Sequence, residues 1–334
     1  MEGYTQTEQI PEENIEKNNF DEQWSHPQHV KVIGSDGGML KSEFFDVYDI
    51  KPEDGKEKKD IPLAIALGWT EVPDSHRNHI KYWVGQGREV VVSNTPHGIS
   101  SEKIGEYPKV ETDKLAGLIE TLRAVGIEIK EDGTGTSKVN IMGRSEGAIF
   151  SIMLAYLYPE LVENLVLANP AAMTGPVNIG KFAKRWAGVM WQQRITKYKE
   201  KGEDPGNHIA EVSQRDPAQT IASIIAISHM DLREMLKEIR AHGIGVAVIH
   251  TTEDKFFPMD KLAGTSTIDP FSITQTKQMD VVPELTAEDV DGFYSLDGTH
   301  DSYFYEPEKY AMVIDQALSA LEAKKKKVKE LKNI

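Results

Sequence analysis

Residues 139–156 read VNIMGRSEGAIFSIMLAY. The stretch begins with a short run of strand composition, turns over Gly-x-Ser-x-Gly, and continues with Ala148, Ile152 and Ala155 at helical spacing. This order of strand, sharp turn and helix places the serine at the apex of the turn. The turn holds the serine in strained backbone geometry, so that its hydroxyl projects above the carboxyl edge of a sheet. The stretch therefore predicts that Ser145 is a nucleophile.

The bare five-residue pattern is a modest signal. In a chain of 334 residues with 26 glycines, it is expected by chance roughly 0.1 times. The strand composition before it and the helical spacing after it are the context that the motif requires. They favour the functional interpretation over coincidence.

Composition limits the kind of protein. A hydrophobic content of 39% supports a sizeable core, in one large α/β domain or two small ones. No apolar run approaches a membrane-spanning length and the first residues do not resemble a signal peptide, so we expect a cytoplasmic protein without membrane insertion. A net charge of −15 argues against nucleic-acid binding, and the absence of cysteine excludes disulfides and thiolate chemistry.

The order of the remaining patterns predicts an α/β fold. Two strands around a Gly/Asp turn form a hairpin, and apolar runs then alternate with helical periodicity. The predicted strands after the hairpin are 61–68, 89–93, the strand before Ser145, 161–167, 245–250 and 290–296. The predicted helices include one around Ile80 to Val84, 111–125, the one after Ser145, and 307–323. Strands that are apolar on both faces indicate a mostly parallel sheet covered by helices on both sides.

The remaining segments fall outside this alternation. Residues 1–26 are polar and acidic, which predicts a disordered or loosely attached extension. Residues 170–240 carry helical patterns without a convincing strand, and we interpret them as a helical cap inserted into a core of residues 27–169 and 241–323. Residues 324–334 form a basic tail. We favour a solvated end of the last helix, where cations suit the helix dipole, over the alternative of a membrane or nucleic-acid contact.

A serine nucleophile needs a histidine base. In hydrolases with this turn, the acid and then the histidine follow the serine in the chain. After the strand at 245–250 and its loop, only His300 remains, in a loop that follows the last predicted strand. The same edge of the sheet would present both Ser145 and His300.

The acid has two candidates, Glu253 and Asp254, in the loop after residues 245–250. We favour Asp254 because the apolar residues and Pro258 that follow it would return the chain to the core. The alternative is that Asp254 only terminates a strand. The position of both loops at one edge, in the required order, favours a triad of Ser145, Asp254 and His300.

The developing oxyanion needs two N–H donors. The first is expected to be the backbone of Glu146, directly after the nucleophile. The second is expected to be the backbone of Trp69, in the loop after the strand at 61–68. The alternative for Gly68 and Trp69 is that they only close a strand.

With these residues in place, the sequence resembles the α/β-hydrolases over about residues 28–322. The resemblance rests on the hairpin, Leu67-Gly68-Trp69, Gly143 to Gly147, Asp254 with Pro258, and Gly298 to Ser302. The chain departs from the family pattern in having Leu67-Gly68 in place of His-Gly, and it lacks a His-Gly-Gly-Gly run. The resemblance implies the α/β-hydrolase fold, with a cap after the sixth strand that matches residues 170–240.

The expected function is that of a serine hydrolase, acting on a small or medium carboxylic ester or related acyl compound without cofactor or metal. Ser145 in place of an aspartate nucleophile weighs against haloalkane or epoxide hydrolysis. Amide, thioester or carbon–carbon hydrolysis and acyl transfer use the same residues and stay open. A ligand-binding homologue without catalysis is the alternative from another class.

The predicted cap contains a local reversal of charge. Between residues 181 and 201, seven bases accompany a single acid, Glu200. These bases could steer an anionic substrate towards the site. The alternative, which we favour, is that they extend into water from a packed helix that carries Phe182 and Trp186 on its apolar face.

Overall fold

The computed structural model describes residues 20–36, 39–53, 55–94, 106–129, 137–173, 175–185, 187–188, 217–258 and 291–332. The strands within this part of the chain are β1 (Gln28–Asp36), β2 (Met39–Ile50), β3 (Leu63–Ala66), β4 (Val90–Ser93), β5 (Val139–Arg144), β6 (Val162–Ala168), β7 (Gly245–Thr251) and β8 (Gly292–Leu296). The helices are α1 (Phe20–Ser25), α2 (Arg77–Gly85), α3 (Lys109–Ala124), α4 (Gly147–Leu157), α5 (Pro217–His229), α6 (Arg233–Ala241), α7 (Ser302–Tyr305) and α8 (Pro307–Lys332).

The eight strands form one sheet in the order β1-β2-β4-β3-β5-β6-β7-β8. Strands β3 to β8 pair in parallel, and β2 pairs antiparallel with both β1 and β4. The short strands β3 and β4 are buried along their whole length, as expected for parallel strands with helices on both faces. The predicted hairpin and the predicted strands and helices of the core are confirmed.

Alternate residues of each strand point to opposite sides of the sheet. In β3, Ala64 and Ala66 belong to the apolar cluster beneath α3, α4 and α6, whereas Leu63 and Ile65 belong to the cluster beneath α1, α2 and α8. The sheet therefore divides two cores, and a helical layer closes each of them.

The strand order reverses between β3 and β5. Helix α2, on one face of the sheet, lies between β3 and its neighbour β4 in the chain. Helix α3, on the opposite face, then leads back past β3 to β5, the neighbour of β3 on its other side. Open α/β sheets form a crevice at the carboxyl ends of strands where the order reverses in this way. The loops that contain Trp69 and Ser145 both begin at this crevice.

The prediction of a disordered extension over residues 1–26 is wrong for its last part. Residues 20–25 form α1, and its residues Phe20 and Trp24 are buried. The Trp24 ring contacts that of Tyr48 at 4.6 Å between centroids, and its Nε1 donates to Asp74 Oδ1 over 3.1 Å. Residues 1–19 lie outside the described residues.

The final helix continues beyond the predicted end at residue 323. Helix α8 extends to Lys332, so the basic segment that begins at Lys324 is helical through Lys332. Lys324 Nζ donates to Asp291 Oδ1 over 2.6 Å, and Lys325 pairs with Glu163 over 3.4 Å. These contacts fix the first turn of the basic segment to the amino edge of the sheet.

Part of the predicted cap lies outside the described residues, including 189–216 and with them Arg194, Lys197, Lys199 and Lys201. The described portion between β6 and β7 is helical at 179–185 and in α5 and α6, and it contains no strand. Helix α6 packs on α4 and β7. The division into core and cap stays a prediction. Among the described residues, no helix combines the length and apolarity that crossing a membrane requires.

Candidate active site

The serine lies at the turn between β5 and α4. Ser145 has a φ of 51°, a left-handed backbone conformation that strains a residue with a side chain. Its N–H donates to Ala168 O over 3.0 Å, and its own carbonyl accepts from Ala171 N over 3.0 Å. A Cβ added to Gly147 would lie 2.7 Å from Leu67 O. Glycine at position 147 therefore lets the start of α4 pass directly against the end of β3.

The loop after β8 brings His300 to this serine. His300 Nε2 lies 3.1 Å from Ser145 Oγ, although 155 residues separate the two in sequence. The loop is fixed by a hydrogen bond from Thr299 N to Ser302 Oγ over 2.8 Å and by one from Glu253 N to Gly298 O over 2.8 Å. A base is thus within reach of the serine proton.

The loop after β7 brings Asp254 to the other side of the imidazole. His300 Nδ1 donates to Asp254 Oδ2 over 2.8 Å, which leaves Nε2 as the acceptor for the serine hydroxyl. Asp254 Oδ1 accepts from the backbone N–H groups of Phe256 and Phe257 over 2.8 and 3.0 Å. Burial acts to raise the pKa of Asp254, but His300, His250 and the Phe257 N–H outweigh it and hold the pKa below its ordinary value.

The second acid considered in the sequence, Glu253, is exposed. The apolar residues after Asp254 enclose the histidine: the rings of Phe256 and Phe257 meet His300 edge-on, with centroids 4.9 and 5.6 Å away. Asp254 and the imidazole are thereby shielded from water, which strengthens the ionic hydrogen bond between them.

The two expected oxyanion donors follow neighbouring parallel strands, β3 and β5. Trp69 follows β3 and packs, partly buried, against the core on the side of the sheet that α3, α4 and α6 cover. Glu146 precedes Gly147, the first residue of α4, so its N–H lies at a helix N-terminus. In the sheet, Ala66 is the register partner of Gly143, which brings the loops after β3 and β5 together.

Comparisons with solved structures agree with this topology. No family model matches the chain, and no curated protein matches its sequence. A hydrolase from Pseudomonas aeruginosa superposes with a TM-score of 0.56 at 17% identity, covering 87% of this chain and 98% of that one. A bromoperoxidase from Bacillus anthracis gives 0.54 at 13% identity, covering 86% and 99%. A thermophilic esterase from Thermogutta terrifontis gives 0.51 at 16% identity, covering 88% and 99%.

The chain has the α/β-hydrolase fold. The predicted fold class is confirmed, including the mostly parallel sheet with helices on both faces. The structure brings Ser145, Asp254 and His300 together at the carboxyl edge of this α/β-hydrolase sheet.

Sequence reasoning did not identify Asn169, which follows β6 in this α/β-hydrolase fold. Its Nδ2 donates to Thr251 Oγ1 over 2.8 Å and to Asp254 Oδ2 over 3.2 Å. The residue is buried and has a φ of 47°. Its position directly after a buried parallel strand was the available signal, because the loops after parallel strands converge at one edge of the sheet.

Positive φ is concentrated at this edge. The described residues other than glycine with positive φ are Thr70 (63°), Ser145, Asn169 and Ala172 (61°). Each lies in a segment that follows the carboxyl end of β3, β5 or β6. Such conformations persist only where the surrounding structure determines them, and they are concentrated at functional sites.

A buried cluster of charged side chains includes that of Glu146, whose backbone N–H is an expected oxyanion donor. The Glu146 carboxylate pairs with Lys114, whose Nζ also donates to Ser223 Oγ over 2.8 Å. Glu111 is fully buried beside them, with an oxygen 3.9 Å from Lys114 Nζ. Burial raises the pKa of Glu111 well above its ordinary value, and the charge of Glu146 adds to this rise while Lys114 opposes it.

Proposed function

We propose that the protein is a serine hydrolase that cleaves a small or medium carboxylic ester through an acyl-enzyme. The observation that carries the proposal is the 3.1 Å distance between His300 Nε2 and Ser145 Oγ, with the histidine held from behind by Asp254. A serine hydroxyl becomes an effective nucleophile when a positioned base takes its proton.

In the proposed reaction, Ser145 Oγ attacks the ester carbonyl while His300 Nε2 accepts its proton. The backbone N–H groups of Glu146 and Trp69 stabilise the oxyanion of the tetrahedral intermediate. When this intermediate collapses, His300 donates the proton to the departing alkoxide. Water then attacks the acyl-enzyme with His300 again as base, the bond from the acyl carbon to Ser145 Oγ breaks, and His300 returns the proton to Ser145 as the carboxylic acid leaves. Asp254 stabilises the imidazolium in both halves. These steps require no metal or cofactor.

The structural comparisons support the fold that the proposed reaction uses. One similar structure is described as a thermophilic esterase, and another, from Exiguobacterium antarcticum, as an esterase, with a TM-score of 0.51 at 17% identity. At such identities the likeness shows the fold alone, so the serine hydrolase proposal rests on the geometry of Ser145, His300 and Asp254.

Labelling with a fluorophosphonate, which reacts with activated serines, tests the nucleophile. We expect one label per chain, located at Ser145 by fragmentation of the labelled peptide, and none in Ser145→Ala. Ser151→Ala is the matched control, because Ser151 lies one turn along α4 and its hydroxyl donates to Gly147 O over 2.7 Å. A folded wild-type protein that never labels would contradict the proposal and favour a non-catalytic binding protein.

A substrate panel tests the bond that is cleaved. Acyl esters, thioesters and anilides of matched acyl chains should be compared by kcat/KM, with Ser145→Ala measured in parallel. We expect the esters to be hydrolysed fastest. Faster turnover of thioesters or anilides would contradict the assignment of an ester as substrate, while Ser145 would remain the proposed nucleophile. Release of product by Ser145→Ala at the wild-type rate would refute the mechanism.

A further inference from the structure

The residue before the nucleophile is a buried arginine. Arg144 ends β5 and is 2% exposed. Its Nη2 donates to the carbonyl oxygen of His300 over 2.8 Å, and its Nη1 forms an ion pair with Glu71 Oε1. One guanidinium thus links the segment of the nucleophile directly to the backbone of the histidine.

The carboxylate of Glu71 continues the link into the loop after β3. Its Oε2 accepts from Gly68 N over 2.7 Å and from His76 Nε2 over 2.8 Å. Gly68 immediately precedes Trp69, whose N–H is one of the two proposed oxyanion donors. A Cβ at position 68 would lie 3.0 Å from Arg144 O, besides clashing with Glu71. Glycine therefore allows the loop to approach both members of the ion pair.

The surroundings keep this ion pair in one arrangement. Burial lowers the pKa of His76 to about 3, so the imidazole is neutral near pH 7 and has one N–H to donate. Nε2–H donates to Glu71, and Nδ1 accepts from the Tyr303 hydroxyl over 2.9 Å. The guanidinium of Arg144 lies 4.2 Å above the ring of Phe304, and Asp301 Oδ1 is 3.7 Å from its Nη2.

We propose that Arg144 and Glu71 are positioning residues that hold the Trp69 N–H and the His300 imidazole in register with Ser145. Three segments far apart in sequence, at 68–71, 144 and 300, meet through this single pair of side chains. Neither residue is a catalytic residue, because each acts through the backbone of another. This inference rests on the serine hydrolase proposed above.

A purely structural role makes a different prediction. Removing one partner of a buried ion pair destabilises a protein wherever the pair lies. Arg88 provides the comparison: it is fully buried and pairs with Asp315 over 2.5 Å and with Glu322 over 2.8 Å. It precedes β4, at the amino end of the strand and away from the loops of the site. An Arg88 variant should therefore lose stability without any kinetic change in the folded enzyme.

The variants are Glu71→Gln, Arg144→Lys and the double variant, with Arg88→Lys as control. Lysine keeps the charge but presents a single ammonium, which cannot span the Glu71 and His300 contacts as a planar guanidinium does. Displacement of reacting groups by about 1 Å can lower a rate on the order of 100-fold, so we expect a fall of about 10- to 100-fold in kcat and in the rate of fluorophosphonate labelling. KM should change little, because both side chains act through the backbone of other residues, Arg144 through His300 and Glu71 through Gly68.

The double variant should be no slower than the slower single variant, because residues that act as a unit are not additive. Rates are normalised to the folded fraction from circular dichroism, and Glu71→Gln, which preserves shape, supplies the answer if Arg144→Lys does not fold. A wild-type labelling rate in folded Glu71→Gln would overturn the inference. A fall in the kcat and labelling rate of folded Arg88→Lys equal to that of folded Arg144→Lys would also overturn it. If the wild-type protein itself fails to label, the serine hydrolase proposal fails instead.

Discussion

The side-chain amide of Asn169 donates to the same Asp254 oxygen that accepts from His300, over 3.2 Å. Asn169 follows β6 and Asp254 follows β7, so the contact joins the ends of neighbouring parallel strands. Two donors on one carboxylate oxygen fix the rotation of the carboxylate about its side-chain bonds. Asn169 thereby helps to orient the Asp254 carboxylate towards His300.

We predict that Asn169→Ala lowers kcat by roughly 10-fold. A hydrogen bond to a charged group contributes about 1.5 kcal/mol, and a transition state that loses this amount forms about 10-fold more slowly. Asn164→Ala is the matched control, since Asn164 is a buried asparagine of β6 whose amide donates to Asn140 Oδ1 over 2.9 Å. Both variants should lower the melting temperature, and only Asn169→Ala should lower kcat.

We predict that Asp254→Asn lowers kcat by on the order of 10³- to 10⁴-fold, because the amide disturbs the tautomer and orientation of the histidine. The neighbouring Glu253→Gln should leave kcat unchanged, since Glu253 is exposed. Steady-state kinetics on one ester measures both. A larger effect from Glu253→Gln would show that the wrong acid has been assigned.

The buried Glu111 predicts a specific dependence of stability on pH. Its pKa is raised in the folded state, so the folded protein retains a proton that the unfolded chain releases near pH 4.3. The unfolded state then binds fewer protons, and the contribution of Glu111 to the free energy of unfolding falls as pH rises from about 4.3 towards its folded pKa.

Glu111→Gln should remove this contribution. We expect the variant to gain stability relative to the wild-type protein as pH increases from 5 to 8, measured by urea unfolding at each pH. Glu234→Gln is the control on an exposed glutamate of α6, whose side chain is 83% exposed. A difference between the wild-type protein and Glu111→Gln that stays constant with pH would contradict the assignment.

The packing of α1 predicts a structural role for the end of the N-terminal segment. Trp24→Ala should lower the free energy of unfolding by about 3 kcal/mol, since it removes a large buried ring. Deletion of residues 1–25 should destabilise the protein similarly, whereas deletion of residues 1–18 leaves α1 in place. Equal melting temperatures for the full chain and the 1–25 deletion would contradict this role.

The sequence predicted the central sheet because each parallel strand carries its own signal, a short apolar run such as residues 245–250. It predicted Ser145, Asp254 and His300 because the chain order of the triad leaves few candidates. Helix α1 was missed because its apolar residues Phe20 and Trp24 are embedded in an acidic segment, and their partners come much later in the chain.

The links made by Glu71 were missed for the same reason. Glu71 contacts Arg144 across 73 residues, and no local pattern marks either side chain as a partner of the other. Such contacts depend on how the loop after β3 approaches the end of β5. The hydrophobic pattern predicts only that strands lie side by side in a sheet.

The strained residues at the carboxyl edge have a consequence for the proposed reaction. A left-handed conformation costs roughly 1 kcal/mol at a residue with a side chain, and Thr70, Ser145 and Asn169 each adopt one. Folding of the sheet supplies that energy once, before any substrate arrives. A polar site that is already rigid does not have to reorient its dipoles as charge develops on the substrate, whereas water would. In the proposed reaction, the cooperative stability of the entire sheet thus contributes to the rate.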